Sequence, residues 1–558
     1  MSQLESSLDT NSDAYQSNVE FMTNYIEKVR IVERNIRASE ERYRERAEKK
    51  GKLLPRERLA HLLDRGAPFL ELSSIAGLGM NGDKDGSLAG GNLIVGIGYV
   101  KGRRILAMVW NYAIKGGTIT SVTTRKNLRL QEIAFSTRLP LVCLSESGGG
   151  NLAGDGDPDP WHVHGFLDGG RVYCQQAELS AAGIPQITVA HGNATAGGAY
   201  QVALSDYVVL VRGQTHLFLA GPPLLKAATG EEAEHEVLGG AEMHAAISQT
   251  GEYLAENDAD GIRVARDIVA QFPPAAGPQL TPDKAVVAPL YSALELRGIV
   301  SEDKRIPYDM REVIARVFDG SEFFEFEPAN DQHTVCGHAH IGGWRCGIMT
   351  NNGPITPQGA KKASQFLQLC DQTNTPMIFL QNTTGFLVGV EAEQAGQVKH
   401  GSKMIQAVAN FRPTKITIIV GNAYGAGNYA MCSKSLKPEF VFSWPTARQA
   451  VMGGAQAAGV MRVVAEDRAR ATGQEIPEAQ RQAMAEGAEK LIASMEQSSE
   501  SMFCSSRMMD DGIIDPADTR QVLIFTLETC LETTLRGTQP NTFGVEILKK
   551  RTVIHECE

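Results

Sequence analysis

Two short glycine-rich segments carry the residue pattern of clearest chemical use in this 558-residue sequence. In the first, Ile187-Thr188-Val189 leads into Gly192-Asn193-Ala194-Thr195-Ala196-Gly197-Gly198-Ala199-Tyr200. In the second, Ile416-Thr417-Ile418 leads into Gly421-Asn422-Ala423-Tyr424-Gly425-Ala426-Gly427-Asn428-Tyr429. Each reads as a β-branched strand, a turn of small residues and a helix start. The first N–H groups of a helix lack intrahelical acceptors, and small residues let a ligand oxygen reach them. Such a turn can cradle a phosphate or stabilise an oxyanion. Glycines at a helix start also serve close packing, and shape alone leaves both readings open.

The neighbouring residues narrow the chemistry. No Gly-Lys-Ser/Thr follows either turn, so neither is a P-loop, and no G-x-G-x-x-G opens a dinucleotide-binding unit. A Gly-x-Ser-x-Gly elbow and an adjoining Cys–His or paired-carboxylate motif are equally absent. His191 precedes Gly192 but has no counterpart in the second segment, so a core or tight-turn histidine is expected rather than a base. His333, Cys336, His338 and His340 have metal-ligating side chains, but no structural zinc site has this spacing, and no metal is expected. Asp83-Lys84-Asp85-Gly86 resembles the opening of a calcium loop, lacks the later ligands, and reads as a surface turn. An enzyme with two oxyanion holes and few acid–base groups must take its proton chemistry from a cofactor or second substrate.

The elements that position these turns repeat. Ile187 and Ile416 are 229 residues apart, and that offset holds through both tyrosines. Upstream, Leu139-Pro-Leu-Val-Cys-Leu144 is matched by Thr375-Pro-Met-Ile-Phe-Leu380, with Pro140 and Pro376 at an offset of 236. Glycine follows each, at Gly148 and Gly385, and a helix with paired cations precedes each, Arg125-Lys126 and Lys361-Lys362. A seven-residue length difference is ordinary loop variation. Strands such as Leu93 to Val100 and Ile105 to Val109 alternate with helices such as Arg125 to Thr137, which predicts an α/β layer fold in two tandem copies. Residues 18 to 50 read as a charged helix with Val19, Met22, Ile26, Val29 and Val32 on one face. A shorter helix around Leu59–Leu63 ends near Gly66. The Pro-, Gly- and Ala-rich stretch from Phe272 to Pro282 is the expected linker. It sets domains at 1–272, including the helical extension, and 285–558, joined by 273–284.

Composition limits the function classes. A 42% hydrophobic and 21% charged chain is globular, and its length exceeds one ordinary core. Its 54 cationic and 65 acidic residues leave a net charge of −11, which offers nucleic acid no favourable field. Nine cysteines without a C-x-x-C read as reduced thiols of an intracellular protein. The opening Met-Ser-Gln-Leu-Glu-Ser-Ser has neither a basic nor an apolar leader, and no run approaches the roughly 20 apolar residues of a spanning helix. A cytoplasmic protein that binds neither membrane nor nucleic acid is expected.

Over nearly its whole length the sequence resembles the carboxyltransferase (β) subunits of biotin-dependent acyl-CoA carboxylases. The resemblance runs from Gly51-Lys-Leu-Leu-Pro-Arg-Glu-Arg-Leu-Ala60 through Lys115-Gly116-Gly117-Thr118, Thr195-Ala-Gly-Gly-Ala-Tyr200 and Gly221-Pro-Pro-Leu-Leu-Lys-Ala-Ala-Thr-Gly-Glu231. It continues through Gln381-Asn-Thr-Thr-Gly-Phe386, Gly425-Ala-Gly-Asn-Tyr-Ala-Met-Cys432 and Trp444-Pro-Thr-Ala-Arg-Gln-Ala-Val-Met-Gly-Gly454. The second-half motifs look most like the methylcrotonoyl-CoA and geranoyl-CoA branch. The fold this implies is two tandem crotonase-like (ClpP/crotonase) domains.

The resemblance also implies roles. Gly197 and Gly198 would hold the thioester enolate oxygen, and Ala426 and Gly427 the biotin ureido oxygen. Gly116, Gly117, Gly148, Gly149 and Ala196 would line the acyl-CoA side. Gly385, Phe386, Gly425 and Tyr429 would line the biotin side. Carboxybiotin would arrive on the biotin carboxyl carrier of a partner α subunit, which is also the biotin carboxylase, and the coenzyme A thioester is the substrate. The chain itself has no Met-Lys-Met biotinylation motif and no ATP-binding signature. Family members meet head to tail, so a β hexamer within an α6β6 complex is expected, each site shared by two chains. The family usually continues Ala-x-Leu-Pro after Gly149, whereas Gly150-Asn151 here leads on to His164, a departure expected near the acyl chain. Rivals on the same fold are an acetyl- or propionyl-CoA carboxylase β subunit, a biotin-dependent decarboxylase subunit, and a crotonase-type hydratase or isomerase using Glu146 or Glu178. A non-catalytic assembly subunit is the remaining alternative.

Overall fold

The computed structural model describes residues 2–80, 82–150, 163–273, 280–303, 306–473 and 476–540, with backbone alone for 163–165. Its strands form two eight-stranded sheets. In the first copy the order is Leu70–Leu72, Leu93–Val100, Arg103–Trp110, Leu141–Ser147, Gln186–Thr195, Tyr207–Val211 and Tyr253–Ala255, with His216–Phe218 also on Gln186–Thr195. In the second it is Glu322–Phe326, Thr334–Ile341, Trp344–Asn351, Met377–Thr383, Lys415–Tyr424 and Phe440–Ser443. Arg448–Ala450 adds to Lys415–Tyr424, and Ser2–Gln3 to the outer edge of Glu322–Phe326. In each sheet the first three of these strands pair antiparallel and the rest parallel. Order and sense repeat strand by strand.

Parallel neighbours need crossover helices, which cover the sheet and make its strands nearly all apolar. Ser121–Thr137 and Val163–Ala181 serve the first copy, and Pro357–Gln372 and Gln397–Asn410 the second. The first core gathers Ile94, Val109, Val142, Leu144, Val189 and Val209, and the second Met349, Phe366, Phe379, Met404 and Met431. The paired cations of the crossover helices divide their work. Lys126 is buried, its Nζ donating to the carbonyls of Gly90 at 3.0 Å and Leu93 at 2.7 Å. Lys362, at the same place in the second copy, donates to Asn330 at 3.0 Å and Asp331 at 3.1 Å.

The described chain forms two compact units. One comprises Arg37–Leu72, Gly90–Gln279 and the chain from Glu532; the other comprises Met1–Ile36, Ser73–Ala89 and Leu280–Leu531. This grouping differs from a division into 1–272 and 285–558, because the segments up to Ile36 and Ser73–Ala89 cluster with the second copy and the chain from Glu532 with the first. Helix Asp13–Glu41 buries Met22, Ile26, Val29, Val32 and Ile36. Val32 and Ile36 pack with Ile75, Ala89, Met502 and Ile513, and Arg30 pairs with Asp515 at 3.1 Å. Most of its other charged residues face solvent, as the spacing predicts, but Glu40 near its end is buried.

Candidate active site

Strand Gln186–Thr195 ends where the chain turns sharply at Ala196, whose φ of 52° and ψ of −116° lie outside the regions an L side chain favours. Strain of this kind concentrates at functional sites. The Ala196 N–H donates to the Phe218 carbonyl at 2.8 Å, which fixes the turn, and helix Gly197–Ala203 begins at once. The end of Leu141–Ser147 lies alongside, with Ser147 paired to Ala194 after a register break. Gly149 N–H donates to Ser147 Oγ at 3.2 Å, Gly148 N–H to the Gly116 carbonyl at 3.1 Å, and Ile119 N–H to the Gly149 carbonyl at 2.8 Å. A Cβ on Gly198 would touch the Ser147 side chain at 3.4 Å. Gly116, Gly117, Gly148, Gly149, Ala196, Gly197 and Gly198 are thereby gathered into one cluster.

The second copy repeats the construction. The register breaks between Gln381 and Thr383, after which Thr383 pairs with Ala423. Gly385 N–H donates to Thr383 Oγ1 at 3.2 Å, and Ile355 N–H to the Gly385 carbonyl at 2.9 Å. Gly425, at φ 57°, takes the place of strained Ala196 and opens helix Gly425–Ala430. A Cβ on Gly427 would sit 2.7 Å from the Gly385 Cα, so these two backbones are in direct contact. Phe386 packs on Gly401, and Tyr429 stands half exposed on the helix. Gly385 and Phe386, just after strand Met377–Thr383, thus lie against the turn and helix that carry Gly425, Ala426, Gly427 and Tyr429.

Behind the first turn lies a buried charge network. Glu146 pairs through Oε1 with Lys52 Nζ at 2.5 Å and through Oε2 with Arg58 Nη2 at 2.8 Å. Arg58 Nε reaches Asp258 at 2.9 Å, and Asp258 also meets His191 Nδ1 at 2.9 Å and accepts the Leu53 N–H at 2.9 Å. Burial, then the charge of Arg58, lowers the His191 pKa. Burial works to raise the Asp258 carboxyl, but the interaction with His191 and the Arg58 charge hold it well below the usual range. His191 is fully buried, a core residue. Glu178 is exposed on helix Val163–Ala181, beside Cys174.

Some site residues carried no signal in the motifs. The Tyr173 hydroxyl stands where a Gly197 side chain would go, and its ring meets Tyr200 edge-on at 6.5 Å. Burial, then the proximity of Tyr200, raises the Tyr173 pKa. Tyr308 presents its hydroxyl to Gly421. Lys52 and Arg58 do lie in the Gly51–Ala60 motif, but nothing there shows that they reach Glu146. Residues 151–162, most of the divergent loop that ends at His164, lie outside the described residues. Among the described residues no group of three or more His, Cys, Asp and Glu could hold a metal, and the His338 ring packs on Phe366 at 5.0 Å.

Two sheets, each ending in a glycine turn backed by a second strand end, define an α/β protein of the crotonase-like type. The chain belongs to the carboxyl transferase family: the model of the carboxyl transferase domain matches residues 46–543. It is 48% identical to the β subunit of P. aeruginosa geranyl-CoA carboxylase, whose crystal structure superposes with a TM-score of 0.89 over 98% of this chain and 99% of that one. It is 42% identical over 490 residues to the biotin-dependent 3-methylcrotonyl-coenzyme A carboxylase β1 subunit of Mycobacterium tuberculosis, covering 88% of this chain and 90% of the relative. The mitochondrial methylcrotonoyl-CoA carboxylase β chain of Arabidopsis thaliana is 40% identical over 97% of this chain and 91% of its own length. This chain is an enzyme of carboxyl transfer.

Proposed function

We propose that the chain is the carboxyltransferase subunit of a biotin-dependent acyl-CoA carboxylase acting on a branched, α,β-unsaturated acyl-CoA of the 3-methylcrotonoyl or geranoyl kind. The observation that carries this reading is the 48% identity to the geranyl-CoA carboxylase β subunit along almost the full length of both chains. Carboxybiotin, brought by a partner α subunit, supplies the carboxyl group and the base for the acyl-CoA proton. The chain's own residues supply donors. In the first copy, the N–H groups of Gly197 and Gly198 hold the thioester oxygen as it gains charge, with Gly116, Gly117, Gly148, Gly149 and Ala196 around it. In the second, those of Ala426 and Gly427 hold the ureido oxygen, with Gly385, Phe386, Gly425 and Tyr429 around it.

The second turn carries no charged clamp: Asn382 stands where the first turn has Glu146, and Tyr424 and Tyr429 flank the turn. One lost donor in such a hole typically costs about 2.7–4 kcal/mol of transition-state stabilisation. A hydratase needs a free carboxylate at the turn, whereas both Glu146 oxygens are engaged by cations and Glu178 is bonded to neither turn. Apolar side chains stand exposed around the second turn, Val388 at 83% and Val451 at 76%. Such patches suit burial against another subunit, and we assign them to a homo-oligomer, a β hexamer within an α6β6 complex in which a second copy of the chain completes each site. No helix among the described residues is long and apolar enough to cross a membrane, and the eight described cysteines are in no disulfide; we place the protein in the cytoplasm. The test is a panel of acyl-CoAs assayed with the biotin-bearing subunit. The highest kcat/KM is expected for branched unsaturated substrates, and a saturated short acyl-CoA in that place would refute the substrate assignment.

A further inference from the structure

We infer that Glu146, gripped by Lys52 and Arg58, is the positioning residue of the first-copy turn, holding Ser147–Gly149 in register with the start of helix Gly197–Ala203. The inference rests on the reading that this turn holds the thioester oxygen. Glu146 meets two glycines: its carbonyl fills the space a Gly117 side chain would need, and its carboxylate lies against Gly192. A Cβ on Gly192 would stand 2.5 Å from the Glu146 Cδ and 2.7 Å from Lys52 Nζ, so glycine there leaves room for the clamp. Both carboxylate oxygens are taken, one by each cation, which fixes the orientation as well as the position of the group. Three residues on, Gly149 is tied back to Ser147 Oγ.

The second copy shows that the fold itself does not need these charges. At the matching position Asn382 accepts the Asn422 N–H at 3.3 Å, Gly421 replaces Gly192, and the Tyr308 hydroxyl lies where Lys52 lies in the first copy. The same register break forms over a neutral arrangement. Burying ion pairs is a poor source of stability, since desolvation offsets their attraction. The Arg58 side chain is 0% exposed, Asp258 2%, Lys52 12% and Glu146 13%, so the first copy carries that desolvation in full. What the charges add is a fixed turn, on the side where carbon–carbon bond formation demands the tighter alignment.

The experiment uses the full chain with its biotin-bearing subunit and compares Lys52→Met, Lys52→Arg, Glu146→Gln and the double variant Glu146→Gln/Lys52→Met. Each single neutralisation unbalances a buried network and is expected to lower Tm; the double variant removes one charge of each sign and recovers most of it. Positioning predicts that the double variant and Lys52→Met lose at least about 10-fold in kcat, the scale of a small misalignment of reacting groups. Their acyl-CoA KM stays within about 3-fold, and Lys52→Arg restores kcat. Lys52→Arg keeps the charge that Lys52→Met removes, so this pair of substitutions at one site remains decisive even if the Glu146 variants do not fold. Wild-type kcat in Lys52→Met, or losses that track Tm and vanish in the double variant, would overturn the inference. A wild-type complex that carboxylates no acyl-CoA would instead sink the proposed function.

Discussion

Gly198 and Gly427 occupy the same place in the two copies, yet a methyl group added to each meets different neighbours. At Gly198 it would touch Ser147 and Ala194 at 3.4 to 3.8 Å, ordinary contact distances. At Gly427 it would press on the Gly385 Cα at 2.7 Å and its carbonyl carbon at 3.2 Å, backbone atoms that cannot rotate away. Both alanine variants keep the N–H group, so a difference between them reports backbone displacement alone. Gly198→Ala is expected to keep kcat/KM within a few-fold of wild type, and Gly427→Ala to lose at least about 10-fold, by steady-state carboxylation. Gly427→Pro removes the donor itself and is expected to cost about 10²–10³-fold in kcat, with acyl-CoA affinity and oligomer size retained. Unchanged carboxylation in the proline variant would make this turn a packing feature. Gly198 and Gly427 were legible in the sequence because small residues repeated at a constant offset. Tyr173 was not, since a tyrosine on a crossover helix reads as a packing residue until its hydroxyl is seen against Gly197.

Among the elements, helix Asp13–Glu41 was readable from the 3.6-residue spacing of Met22, Ile26, Val29 and Val32, but the unit it serves was not. Its apolar face finds Ile75, Met502 and Ile513, partners far along the chain that no local pattern specifies. The strands and crossover helices were legible for the opposite reason, because β-branched runs and the repeat fix them locally. The Lys52–Glu146–Arg58–Asp258 network joins residues 94 and 200 positions apart, and sequence gave no sign of it. Near the end of the same helix, Glu40 is buried beside Arg56 and Glu71, and burial raises its carboxyl to about 7. A group with a raised folded pKa contributes stability that is fully present below its unfolded value, near 4.5, and lost as pH rises through about 7. Glu40→Gln has no proton to lose and keeps the Asn111 and Arg56 neighbours. Its Tm relative to wild type is therefore expected to rise between pH 5 and pH 8; a difference that stays flat over that interval would show that Glu40 is not buried in its charged form.

For the whole molecule, two copies of one fold have taken different electrostatic characters, a charged clamp behind the first turn and a neutral one behind the second. On the proposed function, that division sets the two turns against oxygens of different origin, one on a thioester and one on a ureido group. If a second copy of the chain completes each site, chains with different lesions must complement one another. Mixing Gly198→Pro and Gly427→Pro chains, unfolded and reassembled together, is expected to return activity that neither has alone; verified mixed oligomers without activity would place both holes in a single chain. The most direct test of carboxyl transfer is bicarbonate fixation, read as ATP-dependent incorporation of labelled carboxyl into 3-methylcrotonoyl-CoA and geranoyl-CoA by the chain with its biotin-bearing subunit. Label entering the acyl-CoA only when both subunits and ATP are present is the predicted result. Absence of incorporation by a correctly assembled complex, with any acyl-CoA offered, would contradict it.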